Sequence, residues 1–201
     1  MHLICVRHGQ TAWNAQRRFQ GHSDIPLDDE GRAQARGLAA LLRGDQIDVA
    51  VSSDLSRAVE TARIVLGDRA VSLRLDSAWR EMQLGDWEGL TWDEILAANP
   101  DLVDMKEMTP RTYAARGGET FDDLCARIAG AVARVQAQTP ANGTALVATH
   151  AGVLHALLRV LLGDEESRAL AVRFVPASLT RFSFAGGHWR LDVLNETAVA
   201  S

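Results

Sequence analysis

Along the chain, short continuous apolar runs take turns with apolar residues spaced three and four apart. Residues 3–6 (Leu-Ile-Cys-Val) form a run that stops at Arg7-His8-Gly9. This is the pattern of a buried strand delivering polar residues at its carboxyl end. Asp28-Asp29-Glu30 then precede a stripe of Ala35, Leu38, Leu41 and Leu42, which predicts a helix with Asp28 as N-cap and acids at the positive end of its dipole. A second strand is predicted over 48–52, a helix over about 55–66 and a third strand over 71–75. Thr91-x-x-Glu94 is a capping box opening a short helix that Asn99-Pro100 ends, and Thr120 caps a long helix reaching Gln136. The next apolar run, Thr144–Thr149, again ends in polar residues, at His150. A helix over 152–162 follows and closes at Gly163. Residues 179–184 and 188–194 flank Ala185-Gly186-Gly187 and read as a hairpin.

Strands and helices alternating in this way predict an α/β fold. The expected architecture is a three-layer sandwich with a mostly parallel central sheet, helices on both faces and a C-terminal antiparallel hairpin. No shift in composition marks a boundary, so the chain reads as one domain over 1–201. Residues 99–118 fit no regular element and are expected to form a lid or insertion near the site, with Lys106, Arg111, Tyr113 and Arg116 as candidate contacts. Open α/β sheets bind ligands beyond the carboxyl ends of their strands. Arg7-His8-Gly9, Thr149-His150-Ala151-Gly152 and Ser52-Ser53-Asp54 with Arg57 all fall at such junctions, which brings two histidines and two arginines to one edge.

Composition narrows the function. With 47% hydrophobic and 23% charged residues, the chain resembles an ordinary soluble enzyme. It lacks an apolar stretch of membrane-spanning length and a signal-peptide pattern at its start, and a cytoplasmic location is expected. Cys5 and Cys125 are far apart and read as free thiols. The net charge of −5 argues against nucleic acid and anionic membranes as partners, but not against a small anion held by local charges. The six histidines form no His-Glu-x-x-His or His-x-His pattern, and no Cys-x-x-Cys occurs, so neither a metal site nor another cofactor is expected. The phosphate-binding loop of nucleotide hydrolases is missing as well.

Val6-Arg7-His8-Gly9-Gln10-Thr11 with Asn14, Phe19 to Asp24, Ser53-Asp54-Leu55-Ser56-Arg57-Ala58 and Arg80-Glu81 occur in this order. Gly85-Asp86-Trp87-Glu88-Gly89, Gly117-Gly118-Glu119-Thr120 and His150-Ala151-Gly152 follow. Together they resemble the histidine phosphatase superfamily, which includes the cofactor-dependent phosphoglycerate mutases, and they span most of the chain. The resemblance implies the phosphoglycerate mutase-like fold and a small phosphorylated metabolite as substrate. It implies that His8 attacks phosphorus and becomes a phosphohistidine, that Arg7 and Arg57 grip the phosphoryl oxygens, and that Glu81 serves as acid and base. His150 would bind the phosphoryl group as the imidazolium. Asn14 matches a position that hydrogen-bonds that group, and Thr11, Gln20, Gly21 and His22 are further candidates for binding substrate. His155 and Glu88 read as structural. Chemistry agrees with these roles. Neutral imidazole is a nucleophile near pH 7, and guanidinium forks suit charge spread over phosphoryl oxygens.

Three rival functions remain open at this point: a phosphoglycerate mutase, a metal-dependent hydrolase, and a catalytically inactive phosphate-binding regulatory module. The Gly-Asp-Trp-Glu-Gly block and the short segment from Glu81 to Gly117 point to the phosphatase branch. A homodimer is compatible with this reading.

Overall fold

The computed structural model describes residues 1–100, 102, 116–170 and 172–198. Its centre is a six-stranded sheet in the order β3-β2-β4-β1-β5-β6. The strands are β1 (His2–Arg7), β2 (Val49–Ser52), β3 (Leu73–Leu75), β4 (Thr144–Thr149), β5 (Leu179–Ala185) and β6 (His188–Glu196). β1, β2, β3 and β4 pair in parallel, while β5 is antiparallel to both of its neighbours. β5 is therefore the single reversed strand of the sheet, and the predicted hairpin forms its edge.

The continuous apolar runs are explained by burial on both faces. Alternate residues of each inner strand enter opposite cores. Leu3, Cys5, Val51, Ala145 and Val147 pack on one side, and Ile4, Val6, Ala50, Leu146 and Ala148 on the other. The first core is closed by α5 (Phe121–Gln138) and α6 (Ala151–Leu162). The second is closed by α2 (Asp29–Leu41) and α3 (Ser56–Leu66). Truncating a side chain such as Leu146, wholly enclosed between layers, would cost about 2–5 kcal/mol.

Local signals match the helix ends. Asp28 caps α2 through the Gly31 amide. Thr91 with Glu94 forms the capping box of α4 (Trp92–Ala98), and Thr120 caps α5 with Asp123 as its reciprocal partner. α1 (Ala12–Ala15) is a single turn capped by Thr11 and Asn14. α3 has no side-chain cap of its own at Leu55; Asp24 supplies it from a distant loop, accepting from the Ser56 amide and hydroxyl at 2.7 Å each. Two features differ from expectation. β3 is three residues long rather than five. Beyond Gly163, the acid-rich stretch 164–169 forms the short helix α7, which has no apolar stripe to announce it. The expected lid contacts Lys106, Arg111 and Tyr113 lie outside the described residues, whereas Arg116 is exposed in a turn. Among the described residues no helix is long and apolar enough to cross a membrane.

The chain leaves β1 over the α2–α3 face and leaves β4 over the α5–α6 face. A topological switch point therefore lies between these adjacent strands, where ligands bind in open α/β sheets. Register then sets the neighbours. Arg7 is level with Thr149 and Ser52 with Ala148, so the next residues along, His8, His150 and Ser53, emerge side by side.

Candidate active site

His8 and His150 extend the paired strands by one residue each, and the His8 amide donates to the Thr149 carbonyl at 2.9 Å. Their rings lie 5.1 Å apart between centroids, tilted by 59°. His8 Nδ1 is 2.7 Å from the Gly9 carbonyl. A carbonyl oxygen can only accept, so Nδ1 carries the proton and Nε2 keeps its lone pair. His150, the N-terminal residue flanking α6, places Nε2 2.9 Å from Ser53 Oγ.

Both arginines are anchored by backbone carbonyls. Arg7 Nη1 donates to the Phe174 carbonyl at 2.6 Å. Arg57, fully buried in the first turn of α3, donates through its two terminal nitrogens to the carbonyls of Ser23 (2.7 Å) and Gly21 (2.8 Å). The Nε atoms of both side chains are buried without a partner among the described residues, so each guanidinium keeps hydrogen-bonding capacity that these residues do not fill.

The loop that holds Arg57 is itself held by Glu88. One carboxylate oxygen accepts from the amides of His22 (2.9 Å) and Leu84 (3.2 Å); the other accepts from the amide and hydroxyl of Ser23 (2.9 and 2.7 Å). These bonds hold the Glu88 carboxyl below its usual range despite burial, which acts in the opposite direction. Gly21 has φ +51°, and a Cβ there would stand 2.1 Å from Glu88 Oε1. The carboxylate thus occupies the space that the glycine leaves.

Glu81 approaches from the segment after β3. Its carboxylate accepts from its neighbour Met82's amide at 2.8 Å and from the Gly152 amide, in the first turn of α6, at 3.2 Å. Only glycine permits this, because a Cβ on residue 152 would lie 2.4 Å from Glu81 Oε1. Two ion pairs fix the segment. Arg80 binds Asp54 through two bonds of 2.7 and 2.6 Å, tying it to the end of β2. Arg127 of α5 donates to the carbonyls of Ala78, Arg80 and Glu81, and forks onto Glu119 at 2.9 and 2.6 Å.

These groups meet in a cavity of about 230 Å3 lined by Arg7, His8, Asn14, Gln20, Gly21, Arg57, Glu81 and Gly152. Thr11 and His22, also singled out from the sequence, are not among its walls. Thr11 caps α1, and His22 Nε2 bonds the Glu81 carbonyl at 2.9 Å. His150 is wholly buried behind the surface. Sequence reasoning missed Arg18, Phe19 and His155 as wall residues. His155 sits on the α6 face that turns to the cavity, and its ring meets Phe174 edge-on at 5.0 Å. Its five-residue offset from His150 concealed this. Glu88, read as part of a turn, proves to be a keystone of the loop, a role carried by contacts 65 and 66 residues apart.

Electrostatics favour an anion. Burial first, then the nearby charges of Arg57 and Arg7, hold His8 well below the usual imidazole range. Burial together with Arg57, His8 and Arg7 does the same to His150. The imidazolium expected at His150 is therefore disfavoured in the free protein: two fixed cations and no solvent leave the ring neutral. Burial also lowers Arg7 and Arg57 to about 10, opposed by Glu81, so both keep their charge at neutral pH. Among the described residues, no group of three or more His, Cys, Asp or Glu side chains is placed to hold a metal ion.

The chain is 36% identical over 220 residues to glucosyl-3-phosphoglycerate phosphatase of Mycobacterium tuberculosis (strain ATCC 25618 / H37Rv), covering 99% of this chain and 96% of the relative. It is 32% identical over 196 residues to the uncharacterized phosphatase PhoE of Bacillus subtilis (strain 168), covering 97% and 95%. The solved structure of mycobacterial glucosyl-3-phosphoglycerate phosphatase in complex with VO3 superposes with a TM-score of 0.89 at 36% identity, over 98% of this chain and 99% of that one. The family model of the histidine phosphatase superfamily (branch 1) matches residues 3–197. The chain belongs to the histidine phosphatase superfamily.

Proposed function

We propose that this histidine phosphatase hydrolyses a small phosphorylated metabolite through a covalent intermediate on His8. One observation carries the reading: His8, with Nδ1 committed to the Gly9 carbonyl, shares a cavity with Arg7, Arg57 and Glu81. Its Nε2 lone pair attacks phosphorus, and the bond from phosphorus to the ester oxygen breaks. The departing oxygen takes a proton from the Glu81 carboxyl. Arg7 and Arg57 neutralise charge on the non-bridging oxygens, with Asn14 as a further donor. Glu81 then removes a proton from water, whose oxygen attacks phosphorus. The phosphorus–nitrogen bond breaks, its electron pair returns to His8, and inorganic phosphate leaves.

Trapping the intermediate tests this. Brief exposure to a 32P-labelled phosphomonoester followed by denaturing quench should yield an acid-labile phosphoenzyme, lost in His8→Ala. Label persisting in that variant would remove His8 from the role of nucleophile. Steady release of phosphate, without isomerisation of 3-phosphoglycerate in the presence of a bisphosphoglycerate primer, separates a phosphatase from a mutase. Activity that survives thorough chelation separates it from a metal-dependent hydrolase. The likeness to glucosyl-3-phosphoglycerate phosphatase makes phosphorylated sugar-acid esters the first members of a substrate panel.

A further inference from the structure

Ser53 Oγ is buried, and its contacts constrain its proton. It accepts the Leu55 amide at 3.3 Å and lies 2.9 Å from His150 Nε2. A serine hydroxyl has one proton to give. Among the described residues, the acceptor within its reach is His150 Nε2. The neighbouring hydroxyl of Ser52 is already spent on the Ser53 carbonyl at 2.7 Å. A proton on Nε2 would leave the serine hydroxyl enclosed with nothing to donate to, in a place with no solvent access.

We infer that Ser53 is a positioning residue: its hydroxyl donates to His150 Nε2 and so places the proton of the neutral ring on Nδ1. That nitrogen is buried and has no partner among the described residues. It becomes the N–H donor of an uncharged ring whose centre lies 5.1 Å from that of the His8 ring, the form in which His150 would assist a phosphoryl group on His8. Burial among Arg57, His8 and Arg7 favours the same neutral ring. Gly9 and Ser53 then perform parallel tasks. A carbonyl takes the Nδ1 proton of His8 and frees a nucleophile, whereas a hydroxyl occupies Nε2 of His150 and frees a donor. The contribution to catalysis rests on the phosphatase reading; the tautomer does not.

The test is a long-range 1H–15N correlation spectrum of the 15N-histidine-labelled full chain near pH 7, with His150 assigned by its loss in His150→Gln. The wild type should show His150 with a protonated Nδ1 and a lone pair on Nε2. Ser53→Ala should shift that ring toward the Nε2-protonated form. It should also lower kcat by about 10²-fold, the scale of losing one preorganised hydrogen-bond donor to the transition state, with KM changed less than about threefold. Ser53→Thr, which keeps the hydroxyl, should restore the wild-type pattern. A wild-type ring protonated on Nε2, or on both nitrogens, would overturn the inference even if no variant folds. So would an unchanged tautomer in Ser53→Ala. Phosphate release by the wild type is assayed alongside. Its absence would count against the phosphatase reading and leave the spectrum to decide the role of Ser53.

Discussion

Glu88 governs Arg57 without touching it: its carboxylate binds the amides of His22 and Ser23, and the carbonyls of Gly21 and Ser23 receive the guanidinium. Replacing Glu88 by Gln presents an NH2 group to amides that need an acceptor. The expected cost is about 2–4 kcal/mol of stability, from buried donors left unpaired, together with a fall in kcat of about tenfold or more as Arg57 loses its seat. Chemical denaturation and steady-state kinetics measure both. Wild-type kcat in Glu88→Gln would sever the link to Arg57.

Arg57 itself tests whether shape or charge matters. Arg57→Lys keeps a cation but cannot span two carbonyls and an oxyanion at once. A loss of about 10²–10³ in kcat is expected, in line with other preorganised charge stabilisers. Retention of more than a third of wild-type kcat would show that a point charge suffices.

Gly152→Ala separates the acid from the phosphate grip. The new methyl would displace the Glu81 carboxylate, the far end of a flexible side chain, so the melting temperature should stay within a few degrees. Vanadate affinity should be nearly unchanged while kcat drops about 10²-fold or more. A large loss of vanadate binding would mean that Glu81 also shapes the anion site.

Acid should weaken the fold through the two buried rings. Folded His8 and His150 titrate well below the usual imidazole range, so below about pH 6.5 the unfolded chain binds protons that the folded chain refuses. Stability is therefore full above that pH and lost as pH falls, by up to about 1.4 kcal/mol per unit for each ring. Melting temperatures measured between pH 7.5 and 5 should fall, and His150→Gln should show a shallower slope. An identical slope in that variant would remove His150 from the effect.

What the sequence made legible is what neighbours in the chain determine. The capping box at Thr91, the cap at Thr120 and the continuous apolar runs that became β1, β2 and β4 could be read locally, and so could the edge that gathers His8, Arg57 and His150. The short helix α7 lacks an apolar face, so periodicity had nothing to detect. The roles of Glu88, His22 and Asp24 were hidden for another reason. Their partners are Ser23, Glu81 and Ser56, which lie 65, 59 and 32 positions away, and no local pattern encodes such a bond. The five-residue offset of His155 from His150 predicts another helix face, yet His155 lines the cavity.

The fork between Glu119 and Arg127 has a mechanical consequence. It clamps the chain at the downstream edge of residues 103–115 onto the carbonyls around Glu81. The carbonyls of Ala78, Arg80 and Glu81 are thus held from a helix of the central core rather than from the segment that precedes Glu119.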